Sequence, residues 1–378
     1  MKIQFLLLLL ITAHNLVAQP KQRARDLGIK IGILTPGKLN AITDVPGVKV
    51  GHVTLIEGEH IRTGVSAILP HSNNLFQEKV PAAIYVGNGF GKLMGITQIE
   101  ELGNIETPII LTNTLSVATA AQALINYTLD LPANENVRSV NAVVGETNDG
   151  RLNDIRGMHV KTEHVLAAIS MASDGPVAEG NVGAGTGTMS LGFKGGIGTA
   201  SRVIPASAGG YTLGVLVQSN FGGVLQVNGV PVGQEMKRHM FTRYVPEIGD
   251  GSCMIVVMTN APIDSRNLKR LAERAMLGLG RAGGIASNGS GDYVIAVSTA
   301  AQLRIPHSST TPLQLMEVLR NEHMDLLFQA VIEATEEAII NSLLAAEDMT
   351  GHKSSKAEAI DHKALISIMK KYNRIEKK

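Results

Sequence analysis

Tryptophan is absent from this 378-residue chain, and Phe and Tyr bring the aromatic fraction to only 3%. A core so poor in rings must be filled by Ala, Val, Ile, Leu and Met. Cysteine occurs once, as Cys253, which excludes an internal disulfide even in an oxidising compartment. Charge is balanced at a net +1, and no basic stripe precedes the last 30 residues, so nucleic acid is not an expected partner. The 11 histidines form no HExxH or similar ligand spacing, so no catalytic metal is expected. No Gly-Lys-Ser/Thr follows either glycine-rich stretch, which argues against a phosphate cradle, and no cofactor is expected. What is abundant is glycine, with 40 residues, in a chain that is 44% hydrophobic and 18% charged. That composition is globular, and the glycines point to backbones that approach closely or take positive φ.

The first residues have a pattern of their own. Lys2 precedes an unbroken apolar run over residues 5–11, and the stretch ends at Leu16-Val17-Ala18-Gln19. It reads as a secretory leader (1–18) cut after Ala18, placing the protein in the periplasm or outside the cell. Leu16 is larger than the usual small residue three before such a cut, and an uncleaved anchor is the alternative. The run is too short for a stable membrane span. With no Cys after the leader, lipid modification there is excluded.

Short apolar runs at 81–86, 108–111, 140–144, 211–218, 254–258 and 293–298 read as buried strands. Helical periodicity marks 115–129, 163–171, 267–279 and 325–346. Strands buried on both faces and apolar helices imply an α/β layered fold with helices outside and sheets inside. Residues 226–251 lack sustained periodicity and read as an exposed connection. The tail after Thr350 reads as a loop, a peripheral helix over 357–372 and a frayed end.

The most informative segment is Asp250-Gly251-Ser252-Cys253, where that connection enters an apolar strand. If the Gly251–Ser252 bond is cut, Ser252 becomes a first residue that carries both a hydroxyl and an α-amine. Such an amine has a pKa of about 7.7–8.0 and can act as general base for its own side chain. Gly251 tolerates the strained geometry in which the hydroxyl attacks the preceding carbonyl. On the residues alone, Gly-Ser is also an ordinary loop-to-strand turn. Cys253 is the rival nucleophile. Along a strand it points to the opposite face from Ser252, as a small core filler would.

The segment GDGSCMIVVMTNAPIDSRNLKRLAERA around Ser252 resembles the nucleophile region of the DmpA/BapA family, the L-aminopeptidase/D-esterase and β-peptidyl aminopeptidase group. RARDLGI, DVPGVKVGH, RTGVSAILP, VGETNDGRLNDIRG, GNVGAGTGTMSLGFKGGIGTASR, LVQSNFGG and GGIASNGSGDYVIAVST are similar to further family blocks, in family order, from about Arg23 to about Gly351. The resemblance implies self-cleavage into an α chain (19–251) and a β chain (252–378), which together form one αββα sandwich like that of the N-terminal nucleophile hydrolases but with different connectivity. It also implies a tetramer of such units. The expected activity is removal of N-terminal residues from small peptides, amides or esters.

By the same resemblance Ser252 is the nucleophile and Asn220 points its amide into the oxyanion hole. Ser290 and Asp292 hydrogen-bond the nucleophile's amine and hydroxyl, and Glu146 binds the substrate's free amine. Lying two apart, Ser290 and Asp292 face one side of an extended chain. Some relatives have Glu in place of Asp292, and some have Tyr in place of Asn148, so the role of that Tyr does not carry over. The glycine-rich stretches 87–92 and 183–192 read as close-packed loops lining the site. Two other readings remain open: an acyltransferase like the ornithine acetyltransferases, which use Thr, or an unprocessed binding protein.

Overall fold

Alternating and continuous apolar segments sort into four layers. The computed structural model describes residues 21–242 and 251–375. The expected leader, residues 243–250 of the connection and the last three residues lie outside that description. Nine strands of five or more residues are described: β1 (Lys49–Glu57), β2 (Ile61–Leu69), β3 (Glu78–Gly89), β4 (Ile109–Asn113), β5 (Val143–Thr147), β6 (Gly196–Val203), β7 (Thr212–Asn220), β8 (Ser252–Thr259) and β9 (Gly291–Ser298). Five helices of nine or more residues accompany them: α1 (Val117–Leu129), α2 (Thr162–Ser170), α3 (Ser265–Arg281), α4 (Asp325–Leu344) and α5 (His362–Lys371).

The smaller sheet has the order β1-β2-β4-β5. The larger has the order β3-β9-β8-β7-β6, with Ile305–Pro306 and Asn104–Ile105 as two-residue strands beside β3. Helices α1 and α2 cover the outer face of the smaller sheet, where Ala120, Leu124 and Val165 meet Val65, Ile110 and Val144. Between the sheets, Val50, Ile68 and Leu111 join one core with Leu216, Met254, Val256 and Ile295. Helices α3 and α4 cover the far face, where Leu268, Leu271, Val331 and Ile339 cluster with Val215, Ile255, Val257 and Val294. This is the expected αββα layering. Each fully buried Val, Leu or Ile stabilises it by about 1.5–3 kcal/mol relative to exposure.

Strand β8 runs between β7 (antiparallel) and β9 (parallel), so both faces are covered and all eight of its residues are buried. Its alternation sends Cys253, Ile255 and Val257 toward the helices, and Met254, Val256 and Met258 toward the smaller sheet. The glycine content is used for close approach: a Cβ on Gly198 would stand 2.0 Å from Ala338 O, so α4 lies directly on β6 there. Beside that contact, buried Arg202 bridges Glu333 (2.9 Å) and Glu337 (2.7 Å) of α4. Arg25 also reaches Glu337 at 2.8 Å, which ties the N-terminal segment to the same helix.

The structure corrects two expectations. Residues 226–242 are only in part an exposed connection: Val227, Val230 and Val232 are buried in the helix-side core and Val232–Glu235 forms a short helix, while 240–242 are exposed. Three valines at irregular spacing fit neither helix nor strand period, so burial left no periodic trace. The tail is also more tightly docked than expected. Its helix begins only at His362, capped by Asp361, and Leu365 and Met369 are buried in the main core. Before it, Lys356–Ala357 pairs with Met349–Thr350 as a small hairpin. Among the described residues no helix is long and apolar enough to cross a membrane.

Candidate active site

Ser252 opens β8 with Asn220 opposite it on β7 and Gly291 opposite it on β9. Its side chain shares the face of Met254 and is 4% exposed. Ser252 Oγ donates to the Gly251 carbonyl oxygen at 2.6 Å. The Gly291 N–H is shared across the same bond, reaching Gly251 O at 3.1 Å and Ser252 Oγ at 3.3 Å. Hydroxyl, carbonyl and an independent backbone donor therefore converge on the Gly251–Ser252 peptide. Cys253 is fully buried on the opposite face, and burial with the nearby Asp292 carboxylate pushes its thiol well above the ordinary range.

Ser290 Oγ donates to Asp292 Oδ1 at 2.8 Å, so the two share a side as their spacing implies. Both are fully buried, and Asp292 Oδ2 takes no hydrogen bond among the described residues. Burial raises the Asp292 carboxyl from 3.8 to about 6, against the opposing effects of the Ser290 hydroxyl and the Cys253 N–H. Alternation along β9 places Asp292 with Val294 and Ala296 on the helix side of the sheet. Ser252 Oγ is on the other side, and among the described residues neither Ser290 nor Asp292 bonds to it. The pair instead borders the main chain: Ser290 Oγ lies 3.5 Å from the point a Gly251 Cβ would occupy.

Asn220 is fixed from two directions. Its Oδ1 accepts from Met189 N at 2.9 Å, and its Nδ2 donates to Asn148 O at 2.9 Å. The expected oxyanion role belongs to that same NH2. Met189 belongs to the glycine-rich loop 183–192, which therefore lies against the site. Lys194, buried beneath that loop, donates to Gly185 O (3.1 Å) and Gly195 O (2.9 Å), and burial lowers its ammonium to about 7. Asn148 accepts from Gly150 N through its side chain at 2.9 Å, and its backbone carbonyl meets Asn220.

Glu146 stands near the end of β5, 1% exposed. Its Oε1 accepts from Lys92 N at 2.9 Å and its Oε2 from the Thr114 hydroxyl, which together set the carboxylate's orientation. Gly91 lies between it and Gly291. A Cβ there would meet the Tyr293 ring at 2.8 Å, Glu146 Oε1 at 3.0 Å and Gly291 Cα at 3.1 Å, so only a glycine fits between the carboxylate and Gly291. The second glycine-rich stretch, 87–92, thus also lines the site.

The structure sets Asn220 opposite Ser252, Ser290 beside the Gly251 main chain with Asp292 bonded to it, and Glu146 across Gly91 from Gly291. Sequence reasoning missed Gly291, Lys92 and Met189, which act through backbone N–H groups, and Thr114, whose hydroxyl anchors Glu146. A side-chain pattern signals none of the first three, because every non-proline residue carries an N–H. Among the described residues no group of three or more His, Cys, Asp or Glu side chains is placed to hold a metal.

Comparison with known proteins finds relatives along nearly the whole chain. The β-peptidyl aminopeptidase BapA of Sphingosinicella microcystinivorans is 43% identical, with 93% of each chain covered. Among solved structures, the PH0078 protein of Pyrococcus horikoshii OT3 superposes with a TM-score of 0.86 at 48% identity, covering 94% of this chain and 100% of that one. The L-aminopeptidase D-Ala-esterase/amidase of Ochrobactrum anthropi, described as a variant of the Ntn hydrolase fold, does so at 0.85 and 39% identity, covering 94% and 99%. Residues 40–357 match Peptidase family S58 itself. With a serine at the head of a buried strand, its hydroxyl on the preceding carbonyl, and these relatives along nearly its whole length, the chain belongs to Peptidase family S58, the serine aminopeptidases of Ntn hydrolase-type fold.

Proposed function

We propose that the chain cuts its own Gly251–Ser252 bond and then works as an N-terminal-serine aminopeptidase on small peptides, amides or esters with a free amine. The observation that carries this reading is the contact at the bond: Ser252 Oγ stands 2.6 Å from Gly251 O, and Gly291 N–H donates to that oxygen. In the first stage Oγ attacks the Gly251 carbonyl carbon. The developing oxyanion meets the Gly291 N–H, a fixed donor that needs no reorganisation. Collapse breaks the C–N bond, the hydroxyl proton ends on the departing Ser252 nitrogen, and Gly251 is left as an ester on Oγ. Water hydrolyses the ester, freeing a carboxylate at Gly251 and an α-amine at Ser252.

That amine then serves the second stage. It takes the Oγ proton as the hydroxyl attacks the substrate carbonyl and returns it to the leaving amine. The Asp292 carboxylate with Ser290 orients it, and Asn220 and Gly291 N–H supply donors for the oxyanion. Glu146 pairs with the substrate ammonium, which fixes where the substrate begins. Acyl-enzyme hydrolysis by water completes the turnover. N-terminal L-, D- and β-amino acids form the expected range. The β class is supported by the β-peptidyl aminopeptidase relatives, and the L- and D- classes by the Ochrobactrum enzyme. The leader at residues 1–18 supports a periplasmic or secreted location, and the family resemblance supports a tetramer of α and β chains.

The test is denaturing electrophoresis with N-terminal sequencing of the purified protein and its Ser252→Ala variant. Two fragments are expected, the shorter starting at Ser252, and Ser252→Ala should remain one inactive chain. A fragment starting at Cys253, or hydrolysis by an uncut chain, would overturn the mechanism.

A further inference from the structure

The stretch 87–92 does more than fill space beside the site. Strand β3 pairs with β9 through a bulge: the register passes from Asp292 opposite Asn88 to Tyr293 opposite Val86 and leaves Gly87 unmatched. A bulge of this kind re-aims the side chains around it. Here it sets Asn88 against the turn that carries Ser290. Asn88 Nδ2 donates to Ser287 O (3.0 Å), Asn288 O (3.3 Å) and Ser290 O. The turn closes on itself through Ser290 N to Ser287 O at 2.8 Å, and Phe90 N adds a second bond to Ser290 O at 3.2 Å. Two residues further on, Lys92 N holds Glu146. One short segment thus grips the Ser290 turn with a side chain and the Glu146 carboxylate with its backbone.

We propose that Asn88 is a positioning residue for Ser290 and Asp292. It does not touch the Gly251–Ser252 bond. Its amide converges on three carbonyls of the turn, two of which also accept backbone N–H groups, and this fixes the height of Ser290 above the Gly251 main chain. Ser290 is the donor to Asp292 Oδ1, so its placement also sets the carboxylate that meets the new amine. Asn88 shares no bond with Glu146, whose anchors are Lys92 N and Thr114. Loss of the Asn88 amide should therefore impair acyl transfer and leave amine recognition in place. The proposal rests on the reading of Ser252 given above.

The experiment compares wild-type protein, Asn88→Ala, Asn88→Ser and Ser252→Ala side by side. It records the rate of self-cleavage and the steady-state kinetics of a free-amine peptide amide, with folding checked by circular dichroism. In Asn88→Ala we expect kcat to fall about tenfold to a hundredfold, the scale of an ångström misplacement, with slower self-cleavage and KM within about twofold. Asn88→Ser, the smaller change, should fall between. Folded variants with wild-type kcat and cleavage rate, or a loss confined to KM, would overturn the proposal. So would failure of both variants to fold, which would make Asn88 a purely structural clasp. A wild-type protein that neither cuts nor turns over would instead sink the reading of Ser252.

Discussion

Replacing Asp292 with Asn in the uncut protein should raise stability at neutral pH relative to acid pH. The Asp292 carboxyl is fully buried and titrates at about 6 instead of 3.8. That difference corresponds to about 3 kcal/mol favouring the neutral form. Its sign follows from proton binding. Below pH 3.8 both folded and unfolded chains are protonated at this site. Between 3.8 and about 6 the unfolded chain ionises while the folded one keeps its proton, so stability falls as pH rises. Above about 6 the whole cost is present. Asn keeps an acceptor for the Ser290 hydroxyl but places an NH2 where Oδ2 has no partner among the described residues, at about 1–3 kcal/mol. That second effect is independent of pH and cancels in the comparison. The neighbouring Cys253 thiol, pushed upward, does not titrate in this window. The assay is thermal and urea unfolding of Ser252→Ala and of Ser252→Ala with Asp292→Asn, at pH 4 and pH 7. Using Ser252→Ala keeps both proteins uncut and without a new α-amine. The double variant should gain on its parent by about 2 kcal/mol between the two pH values, since part of the cost is already present at pH 4, a shift of several degrees in Tm. Parallel pH dependence in the two proteins would refute the argument that Asp292 is held in an environment hostile to its charge.

Three further outcomes follow from the same geometry. Cys253→Ala should self-cleave and keep most activity, because its side chain faces the helix-side core; the cost should be about 1 kcal/mol in urea unfolding. Glu146→Gln should lower kcat/KM for free-amine substrates about tenfold to a hundredfold while N-acetylated substrates, already poor, change little; equal losses on both would remove the ammonium contact. Glu337→Ala should destabilise by about 3–5 kcal/mol in denaturant titration, since it strips a partner from buried Arg202 and from Arg25 and Asn40 together.

The parts of the fold legible in advance were those whose burial has a period. β8 and β9 are uninterrupted apolar runs, and α3 carries a stripe of Leu268, Leu271, Ala275 and Leu279, so each was placed within two residues of its bounds. β5 was expected at 140–144 but occupies Val143–Thr147, because Glu146 and Thr147 are buried by hydrogen bonds rather than by apolarity. β6, reading GIGTASRV, gave no strand signal at all. Its Gly198 admits α4, and its arginine and serine are buried in polar contacts that only the folded chain supplies.

The site divides along the same line. Gly251-Ser252 at the mouth of an apolar strand, the opposite facing of Cys253, and the shared side of Ser290 and Asp292 are properties of adjacent residues, and local covalent geometry determines them. Which residues stand beside Ser252 is different. Asn220 lies 32 positions before it and Gly291 39 after it, and only the order of strands in the larger sheet makes them its neighbours. The backbone donors on Gly251 O, Glu146 and Asn220 were likewise decided by tertiary structure. An N–H acquires a particular role from where the chain is held, and nothing in its own residue type records that.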